Sequence, residues 1–391
     1  MIKTLYDVSN KFDDILTQNH NSYTKYGKNE IPLIKSYIIE NHMIDNEMNK
    51  NSLTQQYLND WKSRSSIKDD IKVKETNDEN LVTVIMNEDE YYFDIRDSRF
   101  WIISSNAKAV ETDKLHQNLL RDNSMDSIWL PSSYIYSLRY EEIGKMYSIG
   151  INYKELISEK DEDLQINKYL NQSEDLSLDL SRNKASAVLD ILRDSDIKHN
   201  LAYDKISIIN STYEENYENT NFVLNDLKFN GKVTARGNSY SHHLDTLNKL
   251  LGDYSYKIKN LEEKLPIKLE HGISGNIGVI ELSHEVTLSK LAKVLSDGKP
   301  PFKLWGTPIW KNENTCELFL IDLHNGNYAK NLNIKLRPNR IYITLSNNSC
   351  GNTISRLLTN INQYIDATAI FKMGESENQY FQYGSQTIKR A

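Results

Sequence analysis

Hydrophobic residues recur every three or four positions in the first part of the chain, a spacing that predicts helices. The predicted helical segments are Leu5–Leu16, Ile31–Met43 and Leu53–Trp61. Short runs rich in β-branched and aromatic residues follow, separated by polar turns, and these predict strands. The predicted strands are Leu81–Met86, Tyr91–Asp97 and Phe100–Ser105.

The longest helical pattern covers Tyr240–Leu265, where apolar residues keep a three-to-four spacing until Pro266 ends it. A helix of this length spans nearly 40 Å at about 1.5 Å per residue. Two interpretations follow from it. The helix lies across a sheet in the core, or it serves a structural scaffold by joining chains into oligomers.

The last third of the chain alternates strands and helices. The predicted strands are Ile277–Leu282, Phe302–Trp310, Cys316–Leu323, Leu332–Leu336 and Arg340–Leu345, with helices over Thr287–Leu295 and Thr353–Ile365. Asn325-Gly326 is the dipeptide that tight hairpins prefer. We therefore predict an α+β protein with a helical N-terminal region, a small antiparallel sheet, and a C-terminal α/β domain of mostly antiparallel strands with a long helix.

Composition shifts suggest four parts. These are 1–157, helices with a small β-sheet domain; 158–181, an acidic linker; 182–373, the C-terminal α/β domain; and 374–391, a polar tail. The chain of 391 residues is 39% hydrophobic and 26% charged, as is usual for a globular protein. No apolar run is long enough to cross a membrane and no signal peptide is evident, so we expect a cytoplasmic protein without membrane contact.

Charge is distributed unevenly along the chain. The net charge is −7, yet residues 228–391 carry +7, while 1–150 carry −6 and 151–227 carry −8. A basic C-terminal domain points to a polyanionic partner such as DNA or RNA. The same excess of basic residues is also expected if the basic part of the chain docks on its acidic part.

A short motif occurs twice in this basic region. Gly237-Asn238-Ser239 and Gly351-Asn352-Thr353 each follow a predicted strand and open a predicted helix. Free N–H groups at a helix N-terminus attract anions, although the same residues are also good helix caps. The predicted anion- or nucleic-acid-binding residues are Lys232, Arg236, Gly237, Asn238, Ser239, Arg340, Gly351, Asn352, Thr353 and Arg356.

Recognisable catalytic motifs are missing from the sequence. There is no phosphate-binding loop, nucleophile elbow or HExxH helix, and the two cysteines, Cys316 and Cys350, make no metal framework. His284-Glu285, His271 and His324 lie in one predicted domain and offer the ligands of a zinc site, but ordinary surface or hydrogen-bonded histidines are the simpler interpretation. We predict no catalytic residue, metal or cofactor. Trp305, Trp310 and Tyr342 lie on predicted strands of the basic region, where exposed rings could stack on bases. Trp305 and Trp310 are five residues apart, so they should face opposite sides of a strand, and burial is the favoured interpretation.

Three hypotheses for function follow. The first is a non-enzymatic binding subunit of a microbial multi-component assembly, such as genome maintenance or antiviral defence. Its basic domain would contact nucleic acid or another polyanion, and its acidic part a protein partner or a second copy. The second is a metal-dependent nuclease or hydrolase whose site assembles in three dimensions, tested at His243, Glu281 and His284. The third is the oligomeric scaffold.

Overall fold

The computed structural model describes residues 2–42, 50–64, 70–74, 76–140, 143–157, 175–182, 184–212, 220–268, 274–324, 330–374 and 378–383. Helices and antiparallel strands both contribute, so the predicted α+β class is confirmed. The helices are α1 (Leu5–Tyr26), α2 (Lys50–Arg64), α3 (Ala109–Leu119), α4 (Ser132–Ser137), α5 (Ala185–Arg193), α6 (Tyr240–Lys264), α7 (Leu288–Ser296) and α8 (Asn352–Tyr364).

Strands are numbered in chain order. They are β1 (Ile34–Asn41), β2 (Ile71–Lys74), β3 (Leu81–Met86), β4 (Asp89–Asp94), β5 (Phe100–Ser105), β6 (Met125–Ser127), β7 (Lys145–Tyr153), β8 (Leu176–Ser181), β9 (Tyr203–Thr212), β10 (Asn221–Lys228), β11 (Lys232–Gly237), β12 (Gly278–Glu281), β13 (Leu304–Asn312), β14 (Thr315–Asp322), β15 (Asn331–Arg337), β16 (Arg340–Leu345) and β17 (Ile370–Met373).

The chain forms two compact units. Unit 1 comprises Met1–Ile128, Glu142–Lys145 and Ser207–Gly252. Unit 2 comprises Trp129–Glu141, Met146–Ile206 and Asp253–Ala391. This division differs from the linear one expected from composition, because the chain passes between the units more than once. Elements β7, β9 and α6 have residues in both.

Unit 1 is built on an antiparallel sheet with the strand order β2-β3-β4-β5-β1-β11-β10, and β6 also pairs with β1. Alternate residues of its strands enter two separate cores. Phe93 packs with Trp61 of α2 and Leu115 of α3 on one face. Its neighbour Tyr92 packs with Phe12 of α1 on the other. Helices therefore cover both faces of this sheet.

Unit 2 contains a six-stranded antiparallel sheet in the order β13-β14-β15-β16-β12-β17. Its strands show the alternation typical of a sheet with one buried and one solvated face. In β14, Leu318 and Leu320 are buried, whereas Phe319 is exposed. Helix α7 packs against β13 and β14, and every residue of α8 from Asn352 to Gln363 is buried. The residues on the solvated side of β13–β16 are called the outer face below.

Two predicted segments differ in the structure. Residues 34–41 form β1 rather than part of a helix over Ile31–Met43, because the run IKSYIIEN pairs with β5 on one side and β11 on the other. All eight residues of β1 are buried, including the polar Lys35, Ser36, Glu40 and Asn41, so the strand lacks the apolar–polar alternation that marks a half-buried strand. Residues 176–181 of the predicted linker form β8, paired with β7. Residues 158–174 and Asn325-Gly326 lie outside the described residues.

The predicted polar tail is also different at its start. Tyr380 and Phe381 are buried, and the Tyr380 hydroxyl donates a hydrogen bond to the Lys257 carbonyl at 2.8 Å. Residues 384–391 lie outside the described residues. No helix in the described ranges has the length and apolar character needed to cross a membrane.

Candidate nucleic-acid interface

The first copy of the predicted anion motif lies in unit 1, where β11 turns into α6. Gly237 has φ +141°, and a Cβ there would lie 2.3 Å from the Phe222 carbonyl oxygen, so only glycine fits. The amide of Asn238 bridges to β10, accepting from the Phe222 N–H at 2.8 Å and donating to the Thr220 carbonyl at 3.1 Å. The Ser239 hydroxyl accepts a long hydrogen bond from His242 N–H at 3.4 Å. These groups hold the turn.

An acid of the same unit occupies the N-terminus of α6. The Asp13 carboxylate accepts a hydrogen bond from the Tyr240 N–H at 2.6 Å. A carboxylate is well placed there, because the free N–H groups and the helix dipole favour negative charge. The predicted anion site therefore holds a carboxylate of the chain.

The second copy lies in unit 2 at the start of α8, where Gly351 has a helical backbone conformation with φ −65° and directly precedes the helix. The Glu262 carboxylate accepts from the Gly351 N–H at 2.8 Å, and a Cβ on Gly351 would lie 2.6 Å from the Ile258 carbonyl oxygen. Asn352 and Thr353 are buried, and Thr353 donates its hydroxyl hydrogen to Asp322 at 3.1 Å. The two copies thus turn into their helices differently, since Gly237 has φ +141° and Gly351 has φ −65°, but each places an internal carboxylate at the helix start.

The four predicted cations are also paired within the chain. The ion pairs are Lys232–Asp113, Arg236–Asp226, Arg340–Glu281 at 3.3 Å and Arg356–Asp322 at 2.6 Å. The last pair is buried, with 3% and 0% of its side chains exposed. The ten predicted binding residues therefore divide between two units, and their charged groups have internal partners.

A different set of residues stands on the outer face of unit 2. Alternate side chains of strands β13–β16 lie on one side of the sheet. The register shows this, because Thr307 pairs with Phe319 and Lys335 pairs with Tyr342. Phe319 on β14 is 51% exposed and Trp305 on β13 is 57% exposed. Since β15 separates β14 from β16, the backbones carrying Phe319 and Tyr342 are roughly 10 Å apart.

A groove of about 460 Å³ runs over this face and is called the outer groove. Its lining includes Ile277, Glu317, Phe319, Lys335, Arg337 and Tyr342. The Arg337 guanidinium carbon lies 5.7 Å from the centre of the Tyr342 ring, within range of a cation–π interaction. Among the described residues, no carboxylate forms an ion pair with Lys335 or Arg337. These two charges are open to an external anion.

A third cation borders the tyrosine. A hydrogen bond with Tyr342, and then the charge of Glu281, raise the pKa of Arg340 above its ordinary value. Lys311 of β13 and Glu317 of β14 form an ion pair at 3.2 Å. The outer groove therefore combines exposed aromatic rings with cations, two of them unpaired by acids among the described residues.

Comparison with known proteins covers nearly the whole chain. The MJECL33-like protein family model matches residues 1–380. The chain belongs to this family. A relative in Methanocaldococcus jannaschii, the uncharacterized protein MJECL33, is 25% identical over 339 residues, which is 77% of this chain and 81% of that protein. Membership in the family thus extends across both units.

The other residues singled out from the sequence have clear positions. Cys316 is buried in β14, as predicted, and burial raises the pKa of its thiol. Trp305 and Trp310 lie on opposite faces of β13, as predicted. The prediction that they are buried is wrong. They are 57% and 46% exposed, because β13 is the edge strand and most of it is solvated. Cys350 is buried before α8.

The histidines considered for chemistry are dispersed. His243 is fully buried in unit 1, with its ring nitrogens 2.8 Å from Ser36 Oγ and 2.6 Å from Asn225 Oδ1. His324 is buried in unit 2 beside Trp129, whereas His271 lies outside the described residues. His284 instead meets two residues that the sequence reasoning did not consider, and these are described below.

Sequence reasoning missed Phe319, Lys335 and Arg337. A signal was present for the two cations, because strict alternation in LNIKLR assigns Lys335 and Arg337 to the face opposite the apolar one. Phe319 lies in the continuous apolar run 318–321, which shows no alternation. An aromatic residue at an outward position of such a strand is the feature to examine.

Proposed function

We propose that the outer groove binds single-stranded nucleic acid and that the chain serves as a non-enzymatic binding subunit. The observation that supports this most is the exposure of Phe319 beside Lys335 and Arg337. Exposed rings on a sheet stack on unpaired bases, and nearby cations attract the phosphates.

Single strands suit this surface better than a duplex. A flat sheet face presents rings to bases that are already unstacked, whereas the bases of a duplex are stacked on each other. Stacking on exposed rings tolerates any sequence, because every base has a π-face. We therefore expect weak sequence preference and strong dependence on salt concentration.

The test measures the binding of fluorescein-labelled 20-nucleotide DNA and RNA, single- and double-stranded, to the full chain by fluorescence anisotropy. Stacking contributes about 1–3 kcal/mol per base, so F319A should weaken binding roughly tenfold or more. Lys335→Ala and Arg337→Ala should each lower the slope of log affinity against log salt by about 0.7. Tyr23→Ala, which removes an exposed aromatic side chain from α1 of unit 1, is the matched control.

Two outcomes would overturn the proposal. One is the absence of binding to any of the four nucleic acids at low salt. The other is binding that F319A and Arg337→Ala leave unchanged, since the contact surface would then lie elsewhere. If substitution at Arg236 or Arg356 weakened binding and the groove variants did not, the binding surface would lie at the repeated motif instead.

A further inference from the structure

Three side chains with metal-binding atoms meet in unit 2 from three separate segments. His199 lies in the 3₁₀ turn Asp196–Asn200, His284 follows β12, and Asp366 follows α8. One atom from each, a ring nitrogen or a carboxylate oxygen, lies within 4.8 Å of the other two. The chain thus brings together two imidazoles and a carboxylate, each more than 80 residues from the other two along the sequence.

The carboxylate of Asp366 is completely buried and firmly oriented. One oxygen, Oδ1, accepts from the N–H of Thr368 at 2.9 Å and from its hydroxyl at 2.7 Å. The other, Oδ2, accepts from the Ser283 N–H at 2.6 Å and lies 3.8 Å from His284 Nδ1. Carboxylates that bind metals are held in this manner by outer hydrogen bonds.

The charge of this carboxylate needs a positive partner. Buried carboxylates in proteins are paired with cations or coordinate metal ions. In the described ranges, neither a lysine nor an arginine forms an ion pair with Asp366, and the two histidines of the cluster are groups able to carry positive charge. A divalent cation between these side chains supplies the missing charge.

The distances are close to those of a coordinated ion. Ligands about 2.0–2.2 Å from a tetrahedral zinc ion lie roughly 3.5 Å from each other, so shifts of about 1 Å suffice. The Ser283 hydroxyl stands among the three ligands, donating to Asp366 Oδ2 at 2.8 Å and lying 2.7 Å from His199 Nδ1. Rotation of this small side chain clears the position for an ion.

The cluster is accessible from solvent and lies beside a cavity. The His284 side chain is 41% exposed. A cavity of about 620 Å³ within unit 2 is lined by Thr368 and Ala367, the residues that follow Asp366. A small molecule in this cavity would approach the cluster on the side of Thr368.

We propose that His199, His284 and Asp366 bind one divalent transition metal ion, and that zinc fits best. Two imidazoles and one carboxylate suit zinc and its neighbours, whereas magnesium and calcium prefer ligands that are all oxygen. Three protein ligands leave a fourth position for water. This site is separate from the outer groove and does not depend on the proposed function.

The test uses the full chain, freed of metal with a chelator and then titrated with Co²⁺ and Zn²⁺. Tetrahedral Co²⁺ absorbs in the visible range, and elemental analysis after gel filtration gives the Zn²⁺ content. We expect one ion per chain. His284→Ala and His199→Ala should bind at least about 100-fold more weakly, the upper loss seen when only an outer partner is removed. Ser283→Ala should keep the ion, and Glu285→Ala is a neighbouring exposed control.

Each result decides the proposal. A chain that takes up no Co²⁺ or Zn²⁺ at micromolar concentration overturns it, as does a His284→Ala variant that binds like the unsubstituted chain. Circular dichroism establishes that each variant is folded. If His199→Ala does not fold, the comparison of His284→Ala with Glu285→Ala is sufficient, because both positions are exposed.

Discussion

The buried pair Arg356–Asp322 allows a direct test of whether this arginine is structural. Arg356 donates to Asp322 Oδ2 at 2.6 Å, and the same carboxylate accepts from Thr353 at 3.1 Å and from the His324 N–H at 3.0 Å. Substitution Arg356→Met keeps most of the volume but leaves the Asp322 charge buried without its cation. Breaking a buried pair in this way costs about 3–5 kcal/mol.

A second substitution, at Asp322, separates the effect of the unpaired charge on stability from the effect of changed packing. Asp322→Asn in the Arg356→Met background removes the stranded charge, so we expect it to recover about 2 kcal/mol of the loss. The exposed pair Arg340–Glu281 is the matched comparison, because the Arg340 side chain is 49% exposed. Removing an exposed pair costs at most about 1 kcal/mol, so Arg340→Met should change stability little.

Urea unfolding, followed by circular dichroism and tryptophan fluorescence, measures these differences as shifts of the midpoint at constant slope. The reasoning is refuted if Arg356→Met loses less than 1 kcal/mol, or if Asp322→Asn recovers none of the loss. A folded Arg356→Met variant with normal stability but weaker nucleic-acid binding would instead support the role predicted from the sequence.

Two further predictions concern a buried histidine and a close strand contact. Burial lowers the pKa of His243 to about 3, so the unfolded chain binds the extra proton first and stability falls as pH drops below about 6.5. The loss attributable to this residue is about 2 kcal/mol between pH 6.5 and 5, and His243→Gln should flatten the dependence measured by urea unfolding. Gly306→Ala would place a Cβ 2.0 Å from the Phe319 carbonyl oxygen, so its thermal midpoint should fall by several degrees, whereas Gly252→Ala should cause no loss.

The spacing of apolar residues along the chain predicted much of the secondary structure. The spacing in Tyr240–Leu265 predicts α6 within one residue, and the alternation in residues 302–345 predicts four strands of the unit 2 sheet. Both succeed because one side of each element is buried and the other is not, which imposes a clear period on the sequence. β1 was predicted as part of a helix because its apolar residues also fit a three-to-four spacing, and burial on both faces removes the alternation that marks a strand.

The sites were harder to predict, because they depend on distances that the sequence does not contain. Arg356 is 34 residues from Asp322, and neither segment contains a sequence pattern that predicts their ion pair. His284 and Asp366 are likewise brought together only by the fold. The repeated Gly-Asn motif was recognised correctly as two strand-to-helix turns, but sequence alone gave no sign that Asp13 and Glu262 occupy them.

Cross-linking tests the central claim most directly. A single-stranded oligonucleotide containing 5-iodouracil, bound to the full chain at low salt and irradiated, attaches to the residues its bases contact. Mass spectrometry then identifies the attached peptides. We predict attachment within β14 or β16, at Phe319 or Tyr342. Attachment confined to residues 232–239, or a bound oligonucleotide that never reaches the outer groove, would contradict the account.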